Sequence, residues 1–143
     1  MVKKRNERIL VIGACFILLS IVLMIITIPG LLNDTHPGAN PKAAAIGAFV
    51  GIIFHLIFFS GFIISIHTNR RSSNNRKGVY IGFGVLLIIF GLFNMNVASS
   101  FLPHKDILFV PILIFICSFC DFMAAILTII LFLLKPEEVD STY

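Results

Sequence analysis

The sequence predicts an all-α integral membrane protein, a four-helix bundle with both termini on the cytoplasmic side. Three observations carry this. The 143-residue chain is 58% hydrophobic and only 13% charged, about half the charged share of a soluble domain, and its mean hydropathy is +1.02. The apolar residues gather into four runs, each near the ~20 residues a helix needs to cross roughly 30 Å of hydrocarbon. The basic residues cluster beside alternate ends of those runs, as orientation signals do. A soluble chain of this composition could not cover its surface with polar groups.

The first run is Ile9 to Ile28, "ILVIGACFILLSIVLMIITI", ending before Pro29-Gly30. It follows the basic start "MVKKRNER" but exceeds the ~7–15 apolar residues of a signal peptide and lacks a small-x-small cleavage site. It reads as a retained span. The second run is Ala43 to Ile66, "AAAIGAFVGIIFHLIFFSGFIISI". The third begins at Gly78, "GVYIGFGVLLIIFGLF", and is expected to reach residue 97 while fraying outward through Asn94 and Asn96. The fourth is Ile107 to Leu134, long enough to tilt or to begin irregularly around Pro111. Together the spans 9–28, 43–66, 78–97 and 107–134 make residues 1–143 a single transmembrane domain, with a short acidic tail at 135–143. Strands are excluded because they rarely exceed about ten residues, and no run has the period-two pattern of an outer-membrane barrel.

Lys3, Lys4, Arg5 and Arg8 precede the first span, and Arg70, Arg71, Arg76 and Lys77 lie between the second and third. The other two loops hold only Lys42 and Lys105. This asymmetry places the N-terminus and the tail inside, where the tail, "KPEEVDSTY", is expected to be disordered. Anionic headgroups suit the loop "HTNRRSSNNRKG". Basic residues placed in this way indicate no nucleic-acid partner; the lipid bilayer is the partner they imply.

Close approach through small residues carries much of helix association in lipid. In the second span Ala43, Gly47, Gly51 and His55 recur every four residues along one stripe. Gly84 and Gly91 share a face of the third span. Cys117, Asp121, Ala124, Ala125 and Thr128 gather on one side of the fourth, and Gly13, Ser20 and Thr27 repeat at seven in the first. The bundle is expected to turn these stripes inward and to face Phe, Ile and Leu toward lipid, with Gly47, Gly51, Gly84, Gly91, Ala124 and Ala125 at helix contacts.

His55 and Asp121 are the ionisable side chains, thiols aside, that lie well inside the spans. A carboxylate at a helix centre costs about 2.5–3.5 kcal/mol on insertion scales, so it faces the bundle and has a partner. His55 stands eleven residues from Ile66 and Asp121 thirteen from Leu134, roughly 17 and 20 Å from the cytoplasmic ends at 1.5 Å per residue. They lie at one depth, and an intramembrane His55–Asp121 pair is expected. Three roles remain open for it: a structural pair fixing helix register, a proton-handling site, or a protonated Asp121 bonded to a hydroxyl or backbone carbonyl.

"CSFC" at 117–120 has the C-x-x-C spacing. In this and in span count the chain resembles four-helix quinone-linked thiol oxidoreductases such as vitamin K epoxide reductase. That family places its pair close to the outer surface and feeds it from a second cysteine pair. Here Cys117 lies ten residues into its span and the remaining cysteine is Cys15, so buried thiols acting as small apolar groups are expected instead. A metal held by Cys117, Cys120, Asp121 and His55 has suitable ligand types but no polar groups to support it, and no metal or cofactor is expected. Outside, Asp34 with His36 and His104 with Asp106 are read as polar turn residues around Pro37, Pro41 and Pro103. Asn33-Asp34-Thr35 spells a glycosylation sequon too close to the membrane to be used.

No Walker loop, Ser-His-Asp set or H-E-x-x-H occurs. In "KKRNER", "KGVYIGFGVLLIIFG" and "ILTIILFLLKP" the chain resembles uncharacterised small four-span membrane proteins of Gram-positive bacteria. The resemblance implies a cell-membrane location and no activity. The expected function is therefore non-enzymatic: helix packing within the membrane, as a small structural or regulatory subunit or as a homo-oligomer. The alternative is a small proton-coupled transporter using Asp121 and His55. Small multidrug carriers also have four spans, but they rely on a carboxylate in the first, which this chain lacks there.

Overall fold

The computed structural model describes residues 2–34, 40–69, 77–103 and 107–133. Four helices account for nearly all of them: α1 (Val2–Leu32), α2 (Pro41–Asn69), α3 (Lys77–Phe101) and α4 (Phe109–Leu133). Each is long and apolar enough to cross a membrane, and no strand occurs among the described residues. The shortest, at 25 residues, reach about 37 Å at 1.5 Å per residue, more than the hydrocarbon thickness. Arg70, Arg71 and Arg76, His36, His104, Lys105 and Asp106, the sequon's Thr35 and the tail 135–143 lie outside the described residues.

Local chemistry sets the helix ends. At the start of α2, Asn40 Oδ1 accepts the backbone N–H of Ala43 at 3.0 Å, an N-cap, and Pro41 fills the first helical position, where its missing N–H costs nothing. Pro111 sits in the first turn of α4 for the same reason. Pro29 is different. The sequence places the end of the first span before it, yet α1 continues through Pro29 to Leu32, and Asn33 N–H closes on Pro29 O at 3.1 Å. Proline removes one helical hydrogen bond, and membrane helices tolerate that loss through local adjustment.

The third span also outruns its expectation. It does not fray at Asn94 and Asn96 but continues to Phe101. Ser99 and Ser100 turn their hydroxyls back onto the carbonyls of Asn96 and Val97, both at 2.7 Å, so the polar end of α3 satisfies itself without leaving the helix.

α4 packs along both α1 and α3, and α1 packs along α2. The helices therefore form an arc in the order α2, α1, α4, α3. Small residues make the close approaches. A Cβ on Gly84 would stand 2.8 Å from Thr128 Oγ1, and one on Gly91 would stand 3.1 Å from the Phe122 ring. Ala124 and Ala125 are fully buried. Between α2 and α3 the backbones stay apart, and phenylalanines bridge them: Phe58 to Phe83 at 5.8 Å, Phe62 to Phe83 at 6.3 Å and Phe54 to Phe90 at 5.3 Å between ring centroids. Phenylalanine thus serves the interior as well as the lipid face, contrary to the expectation, because a wide helix gap needs long side chains to close it. Ile46, Ile53, Leu86 and Phe119 are among the Ile, Leu and Phe side chains that cover the outside.

Two apolar clusters result. One holds Leu10, Ile17, Phe58, Phe62, Leu87 and Leu131, in the half nearer the termini. The other holds Leu31, Ala98, Ile107, Val110 and Ile114, in the opposite half. A polar layer separates them.

Candidate functional site

That layer contains one polar side chain from each helix: Ser20 of α1, His55 of α2, Asn94 of α3 and Asp121 of α4, none more than 3% exposed. Asp121 is the common partner. Its Oδ1 lies 2.9 Å from His55 Nε2 and accepts the Ser20 hydroxyl at 3.1 Å. Its Oδ2 accepts Asn94 Nδ2 at 2.9 Å. The carboxyl group therefore holds all four helices at one point.

The protons in this cluster follow from the acceptors around it. His55 Nδ1 lies 2.8 Å from Gly51 O, one turn back on α2. A carbonyl oxygen only accepts, so Nδ1 carries a hydrogen and donates. The 2.9 Å contact between Nε2 and Oδ1 then requires one further proton, residing either on the imidazole or on the carboxyl. In both arrangements the pair is neutral as a unit. This is the physical reason a carboxyl group and an imidazole can share the centre of an apolar bundle, where an uncompensated charge would be prohibitive. The Phe90 ring stands T-shaped to His55 at 5.1 Å between centroids and shields the pair on the α3 side.

Neighbouring groups extend the layer. Cys117 Sγ donates to Ser20 O at 3.6 Å, and Ser20 Oγ stands 3.2 Å from Cys117 O, a reciprocal link between α1 and α4. The single Ser20 hydrogen serves Asp121 or Cys117 O at any one time. Ser118 Oγ donates to Gly91 O at 2.7 Å, tying α4 to α3. Cys117 and Cys120 are buried free thiols, and Cys15 is exposed on the outside of α1. Among the described residues no group of three or more His, Cys, Asp or Glu side chains is placed to hold a metal ion.

The sequence residues His55 and Asp121 are thus in direct contact, and Gly51, Gly84, Gly91, Ala124 and Ala125 all lie against other helices or in the core. Gly47 does not. A Cβ there would meet nothing within 4 Å, because the stripe of α2 turns past α1 at this level and faces an open space. Asn94 was missed as a site residue, being read as the frayed edge of a span. Its spacing of seven from Leu87, which is fully buried, and its place three residues after Gly91 on the packed face were the available signals.

Beside the polar layer lies a cavity of about 590 Å³. α1 and α4 form its back through Met24, Thr27 and Ile114, and α2 and α3 form its sides through Gly47, Gly51 and Asn94. Phe54 and Phe90 close it at the level of His55. The chain matches no protein-family model, no curated protein and no solved structure.

Proposed function

We propose that the protein is a multi-pass cell-membrane protein without catalytic activity, its termini cytoplasmic, that acts by helix packing within the bilayer as a homo-oligomer or as a small subunit of a larger membrane assembly. The polar layer favours a structural role for Asp121: both carboxyl oxygens are engaged by side chains of the bundle itself, which fixes the register of four helices and leaves the outer faces to make contacts.

The observation that carries the reading is a stripe on α2. Ile46, Val50, Ile53, Ile57, Ser60 and Ile64 follow one another at spacings of four and three, and all are exposed. That is the spacing of a seam in a left-handed helix pair, with β-branched side chains at five of the six positions. Copies inserted in the same orientation would present this stripe to one another about a two-fold axis, the self-complementary arrangement of a symmetric dimer. α2 is also the least enclosed of the four helices, with 22% of its apolar window buried against 44% for α4.

Cysteine crosslinking tests it. In a cysteine-free background, Ile57→Cys should give a disulfide-linked dimer in native membranes on mild oxidation, while Phe119→Cys on the outer face of α4 should not. Equal yields from both positions, or none from Ile57→Cys together with no crosslinked heterologous partner, would contradict the packing role.

A second reading, a small proton-coupled transporter using Asp121 and His55, is favoured by the shared proton of that pair and by Asn94, which links Asp121 to the cavity. Proteoliposomes separate the two: a proton flux abolished by Asp121→Asn supports transport, and the absence of any flux supports packing.

A further inference from the structure

The cavity beside the polar layer is more specific than a gap between helices. Its wall is apolar except for two side chains, Thr27 and Asn94, which are 1% and 3% exposed. Their donors are already committed. Thr27 Oγ1 gives its hydrogen to Met24 O at 2.7 Å, and Asn94 Nδ2 donates to Asp121 Oδ2. What each retains is acceptor capacity: lone pairs on the Thr27 hydroxyl, and the whole of Asn94 Oδ1, which has no hydrogen-bond partner among the described residues. An amide oxygen that faces an apolar cavity without a partner leaves a hydrogen bond unmade that a donor entering the cavity would supply.

Size decides between occupants. A helix crossing half the bilayer is a cylinder about 10 Å wide and about 15 Å long, roughly 1,200 Å³, twice what the cavity offers. The 590 Å³ present falls within the range of about 300–1,000 Å³ found for small-molecule sites. Access is lateral. Gly47, Val50, Phe54, Ile89 and Phe93 line the cavity and are exposed on the bundle surface, so its mouth lies in the gap between α2 and α3. Gly47 supplies the width of that mouth, since nothing stands within 4 Å of where its side chain would be.

We propose that this cavity is a binding site for a membrane-dissolved lipophile that carries a hydrogen-bond donor, with a lipophilic alcohol as the simplest case. The molecule enters between α2 and α3, lays its apolar body against Met24, Val97 and Ile114, and donates its hydroxyl to Asn94 Oδ1. The site touches the outer stripe of α2 at Val50, which belongs to both, but its polar groups, Thr27 and Asn94, lie on other helices, so the proposal does not rest on the packing role assigned to that stripe. It also gives the polar layer a means of sensing occupancy, because the same amide group that receives the ligand holds Asp121.

A diazirine-bearing hexadecanol and its methyl ether, applied to the full chain in phosphatidylglycerol–phosphatidylcholine nanodiscs, provide the test. Photolabelling by the alcohol should map to residues 44–51 and 89–97 and be competed by unlabelled hexadecanol. The ether should label those segments about fivefold less, the worth of one net hydrogen bond. Gly47→Phe, which fills the mouth from α2, and Val97→Phe, which fills the cavity from α3, should each remove the mapped labelling while the helical signal and melting temperature of at least one of them stay unchanged. Three results would overturn the proposal. One is labelling spread over the lipid-facing residues of all four helices, and another is equal labelling by alcohol and ether. The third is labelling of 44–51 and 89–97 that survives both filling substitutions.

Discussion

Asn94 Nδ2 donates to Asp121 Oδ2 at 2.9 Å, joining α3 to α4 at the level where α1 and α2 also reach the carboxyl group. This bond turns a His–Asp pair into a four-helix junction. A pair would fix one helix against another, whereas a junction fixes the depth and rotation of all four. The apolar clusters on either side can then pack small residues closely without slipping in register, a specificity that lipid-like surfaces cannot provide by themselves.

Removing the junction should be costly. Asp121→Ala leaves His55 Nε2 and Asn94 Nδ2 buried without their partner, and the expected loss is about 2–4 kcal/mol of unfolding free energy. Asp121→Asn keeps one acceptor oxygen and should lose about half as much. Reversible unfolding in mixed micelles measures both. Phe119→Leu, on the lipid face, should stay within about 0.5 kcal/mol of the parent.

Two glycines of similar sequence context should behave oppositely. Gly84→Leu forces a side chain into Thr128 and Ile129 and should destabilise by about 1–3 kcal/mol or more through overpacking. Gly47→Leu enters open space and should be neutral or stabilising, since leucine exceeds glycine in helix propensity by up to about 1 kcal/mol. Melting curves of the two variants in one detergent suffice. A matching loss in both would show that Gly47 packs against something in the native bundle.

Threading is testable by side-specific thiol labelling in a cysteine-free background. Ser72→Cys and Ser141→Cys should react with an impermeant maleimide only after the cytoplasmic face is opened. Asn40→Cys and Pro103→Cys should react in intact cells. Labelling of positions 72 and 141 from opposite sides would rule out four crossings.

How much of this was legible in the sequence depends on how each residue signals. Four helices were legible because apolar length is nearly sufficient evidence for a span in lipid. His55 and Asp121 stood out because an ionisable group is conspicuous in an apolar run, and helical rise placed them at one depth. Asn94 did not stand out. It follows the end of a strictly apolar stretch, where hydropathy cannot distinguish the edge of a span from its buried face. Ser20 lay on the small stripe of the first span, but a serine in a helix can satisfy itself on its own backbone, so nothing in the sequence assigned it to Asp121. The continuation of α1 through Pro29 was hidden for a related reason: proline is a strong stop signal in water and a weak one where neighbouring helices compensate. The cavity was not legible at all, because it arises from the separation of α2 and α3, which the small-residue stripe of α2 gave no reason to expect.

The central claim, that Asp121 is the shared hydrogen-bond partner of three other helices, is tested most directly by thermodynamic cycles. Ser20→Ala, His55→Leu and Asn94→Leu are made in the parent and again in an Asp121→Leu background, and unfolding free energies are compared. A coupling of about 0.6–1.7 kcal/mol between Asp121 and each of the three is predicted, so that each substitution costs less once the carboxyl group is gone. Additive effects, with every substitution costing the same in both backgrounds, would contradict the junction.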